Sequence, residues 1–132
     1  MTNQAKQQLT VWWILWATFQ TGIFVIYHFL GSTAQRPQPT TAASTAWLVG
    51  FAPVALSAIL RWLVLPRVQS AQAALPLFIL GIAMAETTCF LGLFIFPAHK
   101  QELLILSALG IFQFIPLFAR RYFTHDDENR NA

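Results

Sequence analysis

The chain has 132 residues, 8 of them basic and 5 acidic, so 10% carry charge where a soluble domain carries about 25%. Apolar residues make up 56%, aromatic residues 14%, and Cys89 is the single cysteine. That composition excludes a water-covered domain, a disordered chain and a disulfide scaffold, and leaves lipid as the solvent it fits.

Charge is absent in long runs. Lys6 and Arg36 enclose 29 uncharged residues, Arg36 and Arg61 enclose 24, Arg67 and Glu86 enclose 18, and Glu102 and Arg120 enclose 17. A helix needs about 20 apolar residues to cross about 30 Å of hydrocarbon. Four spans are therefore predicted, at about 10–30, 45–65, 74–97 and 102–119. The expected fold class is all-α: one integral membrane domain over residues 1–132, built as an antiparallel bundle of four transmembrane helices. Sheet is not expected, because open strand edges in lipid leave backbone groups unpaired and the runs lack the alternation of a barrel.

The first span holds Gln20 and ends beside His28. Ser32 and Ala34 imitate a signal cleavage site, but the apolar run exceeds a 7–15-residue signal core, so a retained helix is expected. Residues 31–44 are rich in proline and small polar residues and read as a polar loop. The second span carries Ala46, Gly50, Pro53, Ser57 and Arg61 on one stripe, and Pro66 closes it. On the third, Gly81, Ala85, Thr88 and Gly92 form a comparable stripe. Small residues let helix backbones approach in lipid, so both stripes are expected to pack on each other or on another helix. Pro97 closes the third span, and Pro53 and Pro116 are expected to kink theirs. Residues 124–132 read as a polar tail, and its acidic run Asp126, Asp127 and Glu128 as a solvated face.

Lysine and arginine set the orientation. Lys6, Arg61, Arg67, Arg120, Arg121 and Arg130 fall on the side of the N-terminus, whereas Arg36 and Lys100 fall opposite. Both termini are thus expected in the cytoplasm, with the protein in a plasma or inner membrane. Trp12, Trp13, Trp62 and Tyr122 would mark the inner interface, and Tyr27 and Trp47 the outer. Arg61, near the end of its span, is expected to snorkel and not to pair with Glu86. No basic cluster interleaves with aromatics outside the spans, so no nucleic-acid partner is predicted.

Glu86 lies near the middle of the third span, where a carboxylate is paired, protonated or functional. Gln20, Gln113 and Thr87 are expected at similar depth, forming a midplane polar cluster with it. One reading makes Glu86 a proton or cation carrier. The other, favoured because interhelical hydrogen bonds commonly hold such helices together, makes it a neutral acid bonded to a glutamine. Glu86 lies about 140° around its helix from the small-residue stripe, on a side shared with Ile79, Phe90 and Leu93. It would then face lipid or a partner subunit.

The segment GIAMAETTCFLGLFIF, residues 81–96, resembles the carboxylate-bearing helix of the rotary ATP synthase c subunit. The resemblance implies that Glu86, followed by Gly92 and Leu93, is a proton-binding carboxylate. It stops there: the preceding helix lacks the family's repeated glycines, and LRWLVLPRVQS has no counterpart of its polar loop. In size the chain is also similar to the small multidrug resistance exporters, but Gln20 stands where their first helix carries a glutamate. Neither likeness assigns the chain to a family.

His28 and His99 fall on one side with Glu102, which makes them candidate ligands for a metal or, at His28, a tetrapyrrole. No spacing demands either, so no cofactor is predicted. Hydrolase and phosphoryl-transfer motifs are absent, and no aspartate precedes Asp126. The expected function is that of a non-catalytic membrane protein, an accessory subunit of a larger complex or a homo-oligomer. Its expected partners are lipid and other membrane subunits or itself. The alternatives are a small transporter or channel centred on Glu86 and a tetrapyrrole or metal binder through His28.

Overall fold

The computed structural model of the chain describes residues 3–32 and 43–123, with side chains from residue 48 onward in the second stretch. Most of the expected polar loop, the tail at 124–132, Arg36, Arg130, and the side chains of Ala46 and Trp47 lie outside the described residues. The described residues are helical, without strand: α1 (Asn3–Leu30), α2 (Ala43–Ile59), α3 (Ala71–Phe94) and α4 (Lys100–Phe112). Four segments are long and apolar enough to cross a membrane, namely Asn3–Leu30, Leu48–Arg67, Ala71–Phe94 and Pro97–Phe123.

Local chemistry sets most helix ends. α1 begins at Asn3, not near residue 10, because Gln4, Lys6, Gln7 and Gln8 are good helix formers that extend it past the apolar run. α2 passes through Pro53 without a break. The Thr88 hydroxyl donates to the Gly50 carbonyl (3.1 Å) in the turn before that proline, the kind of bond that lets lipid-embedded helices keep proline. Beyond Ile59 the helix widens into a π turn (Leu60–Val64), closed by Leu65 N–H donating to the Leu60 carbonyl, then tightens into a 3₁₀ turn (Leu65–Arg67) around Pro66. Ser70 caps α3, its hydroxyl accepting from Ala73 N–H at 3.3 Å. α3 stops at Phe94, since Phe96 precedes Pro97 and is pushed out of the helical region, at φ −123° and ψ 59°.

The expected fourth span is one apolar stretch but not one helix. α4 ends at Phe112, Ile115 is extended (φ −48°, ψ 128°), and a 3₁₀ turn follows at Pro116–Ala119. Pro116 supplies no N–H to the turn before it, and here the α-helical ladder ends. The interior prolines therefore differ: Pro53 and Pro76 lie within continuous α-helix and Pro116 does not.

α3 and α4 form the most extensive helix pair, and α1 and α2 each pack on both of them, taking opposite flanks. Small residues bring α3 and α4 together. A Cβ on Gly81 would fall 2.6 Å from Phe114 Cε1, one on Gly110 2.9 Å from Ala85 Cβ, and one on Gly92 2.9 Å from Leu103 Cβ. At one end an aromatic cluster fills the centre: Trp12 lies 4.7 Å from Phe78 and 6.2 Å from Tyr122, and Phe78 lies 6.0 Å from Phe114. Phe78 and Phe114 are fully buried. That end also carries Lys6, Arg61, Arg67, Arg120 and Arg121. At the opposite end Lys100 Nζ donates to the Gly31 carbonyl (2.6 Å), so a cation closes the C-terminus of α1.

Candidate functional site

The break in α4 gathers the densest polar network among the described residues. The Gln113 carbonyl, in the turn interrupted by Pro116, accepts from Arg61 Nε at 2.8 Å. The Gln113 side chain is held at both ends: its Oε1 accepts from Trp62 Nε1 (3.1 Å), and its Nε2 donates to Ser57 Oγ (3.4 Å). Ser57 Oγ in turn donates to the Gly81 carbonyl at 2.8 Å, tying α2 to α3. From the other flank, Trp16 Nε1 donates to the Ile111 carbonyl at 3.0 Å. Backbone groups released by a helix break must find partners when buried, and side chains of both flanking helices supply them here.

Arg61 is built into this node. Its guanidinium carbon lies 4.0 Å from the centroid of the Phe118 ring and 5.1 Å from that of Trp62. A guanidinium suits both roles, stacking on an aromatic face while its edge donates. One turn further, Arg121 Nη2 donates to the Leu65 carbonyl (2.8 Å) and to the Tyr122 hydroxyl (2.6 Å), and that hydroxyl donates to the same carbonyl (2.8 Å). Leu65 sits where the π turn becomes a 3₁₀ turn, and its carbonyl also accepts from Val68 N–H at 3.2 Å.

The expected midplane cluster is distributed, not assembled. Gln113 is committed to Arg61, Trp62 and Ser57, level with Gly81 through the Ser57 bond. The rise along α3 from Gly81 to Glu86 is about 7.5 Å, which separates Gln113 from Glu86 in depth. Thr87 donates to the Ala83 carbonyl of its own helix (2.8 Å). Gln20 lies on α1 in a surface groove with Thr21, Phe24, Val25, His28 and Phe29, and its Oε1 is enclosed without a hydrogen-bond partner. Glu86 is half-buried and joined to neither glutamine by a hydrogen bond among the described residues. Successive helical residues point about 100° apart, so Glu86 and Thr87 cannot share a face. Nor does Arg61 pair with Glu86; it is engaged at Gln113.

The small-residue positions are all buried: Gly81, Ala85, Thr88 and Gly92 on α3, Gly50 and Ser57 on α2. Their division of labour was not readable from the stripes. The α3 glycines chiefly admit α4, with Phe114 seated on Gly81 and Leu103 on Gly92. The hydroxyls hold α2 to α3, through Thr88 to Gly50 and Ser57 to Gly81.

His28 is exposed and lies edge-on to Phe29. His99 Nδ1 stands 4.0 Å from Glu102 Oε1. No group of three His, Cys, Asp or Glu residues converges among the described residues, so His28 and His99 are not gathered into one ligand set. Cys89 is buried one turn beyond Glu86. The sequence reading missed the Arg61–Gln113 node; its signal was an arginine and a glutamine each placed near an interior or terminal proline. No protein-family model, curated protein or solved structure matches the chain, so its functional reading rests on its own residues.

Proposed function

We propose that the chain is an integral membrane protein, inserted as an antiparallel four-helix bundle with both termini cytoplasmic. In this reading it acts without catalysis, as an accessory subunit of a larger membrane complex or as a homo-oligomer. The orientation is supported by the gathering of Lys6, Arg61, Arg67, Arg120 and Arg121 at one end, with Lys100 at the other. The observation that carries the role is how polar side chains within the apolar segments are used. Trp16, Ser57, Arg61 and Thr88 each donate to a backbone carbonyl of another helix, so polar chemistry is spent on joining helices. What faces outward is mostly apolar, including a shallow furrow between α2 and α3 lined by Leu48, Ala52, Leu56, Met84, Thr87 and Leu91. Native mass spectrometry on protein extracted gently from its own membrane tests the role. A particle holding other chains or further copies is expected; a lone chain in nanodiscs and several mild detergents overturns it.

A second reading is favoured by Glu86, half-buried in the third apolar segment and without a hydrogen bond among the described residues. There Glu86 carries a proton or cation in an oligomer. Proton or cation flux into liposomes that Glu86→Gln abolishes would establish it, and flux that survives the substitution removes Glu86 from the mechanism.

A further inference from the structure

We propose that the outward face of α1 is a docking surface for a second copy of this chain, the two α1 helices pairing in parallel along a seam centred on Thr18 and Thr21. The proposal rests on the membrane reading above and selects the homo-oligomer within it.

Val11, Ile14, Thr18, Thr21, Val25 and His28 follow one another at alternating steps of three and four residues, and Gln4 and Gln7 continue the series towards the N-terminus. All of these are exposed, and they lie across the helix from Trp12 and Ile23, which are buried against the rest of the bundle. A repeat averaging 3.5 residues keeps one helix in contact with another along its whole length when the two wind left-handedly. β-Branched residues at alternate seam positions, here Val11, Thr18 and Val25, favour two strands.

Two further observations point to what covers the seam. Exposed threonines elsewhere satisfy their hydroxyls within their own helix: Thr10 donates to the Lys6 carbonyl at 2.9 Å and Thr87 to the Ala83 carbonyl at 2.8 Å. Thr18 and Thr21 have no hydrogen bond among the described residues, although both lie within an apolar span. The second observation is a groove formed by α1 alone, whose walls include Thr21, Phe24, Val25 and His28. Those four stand at i, i+3, i+4 and i+7, the positions that form the hole for one side chain of a facing helix. In a parallel pair the side chain that enters it is Val25 of the second copy, itself a seam residue.

The chemistry of the seam selects a second copy over a different protein. Copies inserted with one orientation meet about a two-fold axis along the membrane normal, so each seam residue faces its own counterpart. The polar seam residues, Gln4, Gln7, Thr18, Thr21 and His28, each carry both a donor and an acceptor and can therefore bond to their own kind. No lysine, arginine, aspartate or glutamate occupies a seam position, so no charge meets its like there. From Gln4 to His28 the seam is about 36 Å long, and a strip about 10 Å wide would bury about 700 Å² over both copies. Stable pairs in water bury about 1,200 Å² or more. The pair is therefore expected to part when diluted in lipid, its specificity set by interlocking side chains and hydroxyls and not by area.

Cysteine cross-linking of the full-length protein in membranes supplies the test, with copper phenanthroline as oxidant and the unaltered chain, whose Cys89 is buried, as background. Ile14→Cys, Thr18→Cys, Thr21→Cys and Val25→Cys are each expected to give a covalent dimer. Leu80→Cys and Leu109→Cys, exposed on α3 and α4, are not. In liposomes, adding Thr18→Val and Thr21→Val to Val25→Cys should raise the protein-to-lipid ratio for half-maximal cross-linking about tenfold, for two interhelical bonds lost. An unchanged ratio overturns the proposal, as do cross-links absent from all four seam positions or equal at all six sites. An adduct between a seam variant and another protein also overturns it, in favour of a different partner. A multi-copy particle in native mass spectrometry without seam cross-links overturns this face and leaves the oligomer reading standing. A chain that carbonate extracts from the membrane fraction refutes the membrane reading, which is a separate result.

Discussion

Replacing Gly81 with alanine adds one methyl group at the tightest approach in the fold. Its Cβ would stand 2.6 Å from Phe114 Cε1, where relaxed carbon contacts lie at about 3.5–4.0 Å. Phe114 Cζ stands closer still, so relief requires the ring to withdraw by more than about 1 Å, but Phe114 is fully buried and rests edge-on against Phe78 at 6.0 Å. Retreat of α3 instead would stretch the 2.8 Å bond from Ser57 to the Gly81 carbonyl. Overpacking of this kind costs about 1–3 kcal/mol, a drop of about fivefold to hundredfold in the folding equilibrium constant. Gly22 supplies the control of opposite sign. Nothing lies within 4 Å of its Cβ position, so alanine there brings only helix propensity and stabilises by up to about 1 kcal/mol. Reversible unfolding by sodium dodecyl sulfate in bicelles reads both, with Trp12 fluorescence reporting from the same aromatic cluster. Adding Phe114→Leu to Gly81→Ala should recover about 0.5–3 kcal/mol beyond additivity. A Gly81→Ala protein as stable as Gly22→Ala, or strict additivity with Phe114→Leu, would refute the close packing of α3 on α4.

Phe114→Ala should cost about 3–5 kcal/mol in the same unfolding assay, because the emptied space borders Gly81 and Phe78, which cannot move in to fill it. Thr88→Val removes one bond between α2 and α3, whereas Ser57→Ala removes one such bond and also the acceptor of Gln113 Nε2; losses of about 0.6 kcal/mol per bond, at most about 1.7, are expected, and no change in either would show those bonds idle. Glu86→Gln, with no hydrogen bond to lose among the described residues, should leave stability within about 0.5 kcal/mol or raise it. A larger loss would reveal a partner for the carboxylate. Cys89, 2% exposed, should react with a maleimide only after unfolding, and rapid labelling of the folded protein would contradict its burial.

The number and rough extent of the apolar segments could be read from the spacing of charges alone, because a charge inside lipid is costly enough to leave a visible gap. Small residues on α2 and α3 likewise announced close approach. Other features were hidden because they depend on partners distant in sequence. Pro53 and Pro116 look equivalent within a linear window, yet one has the Thr88 bond beside it and the other stands among Arg61, Trp62 and Phe114 seated on Gly81. Gln113 was expected to meet Glu86 at similar depth. Counting from a uniform helix misplaced it, since its true level is fixed by Ser57 and Gly81. The π turn at Leu60–Val64 likewise has no marker in LRWLV.

The arrangement of flanks around a central pair sets the order of assembly against the order of synthesis. A ribosome delivers the N-terminal half first, yet α1 and α2 both find their seats on α3 and α4. Even in the finished fold the apolar windows of the first two segments are only 11% and 17% buried, against 44% and 39% for the later two. On the membrane reading proposed above, the early helices wait as separate rods, as each can do in a bilayer because its backbone bonds are satisfied within it. On that reading the last-made pair, α3 and α4, is the template on which the first-made helices dock, and a chain halted after α2 would hold two helices without their seats.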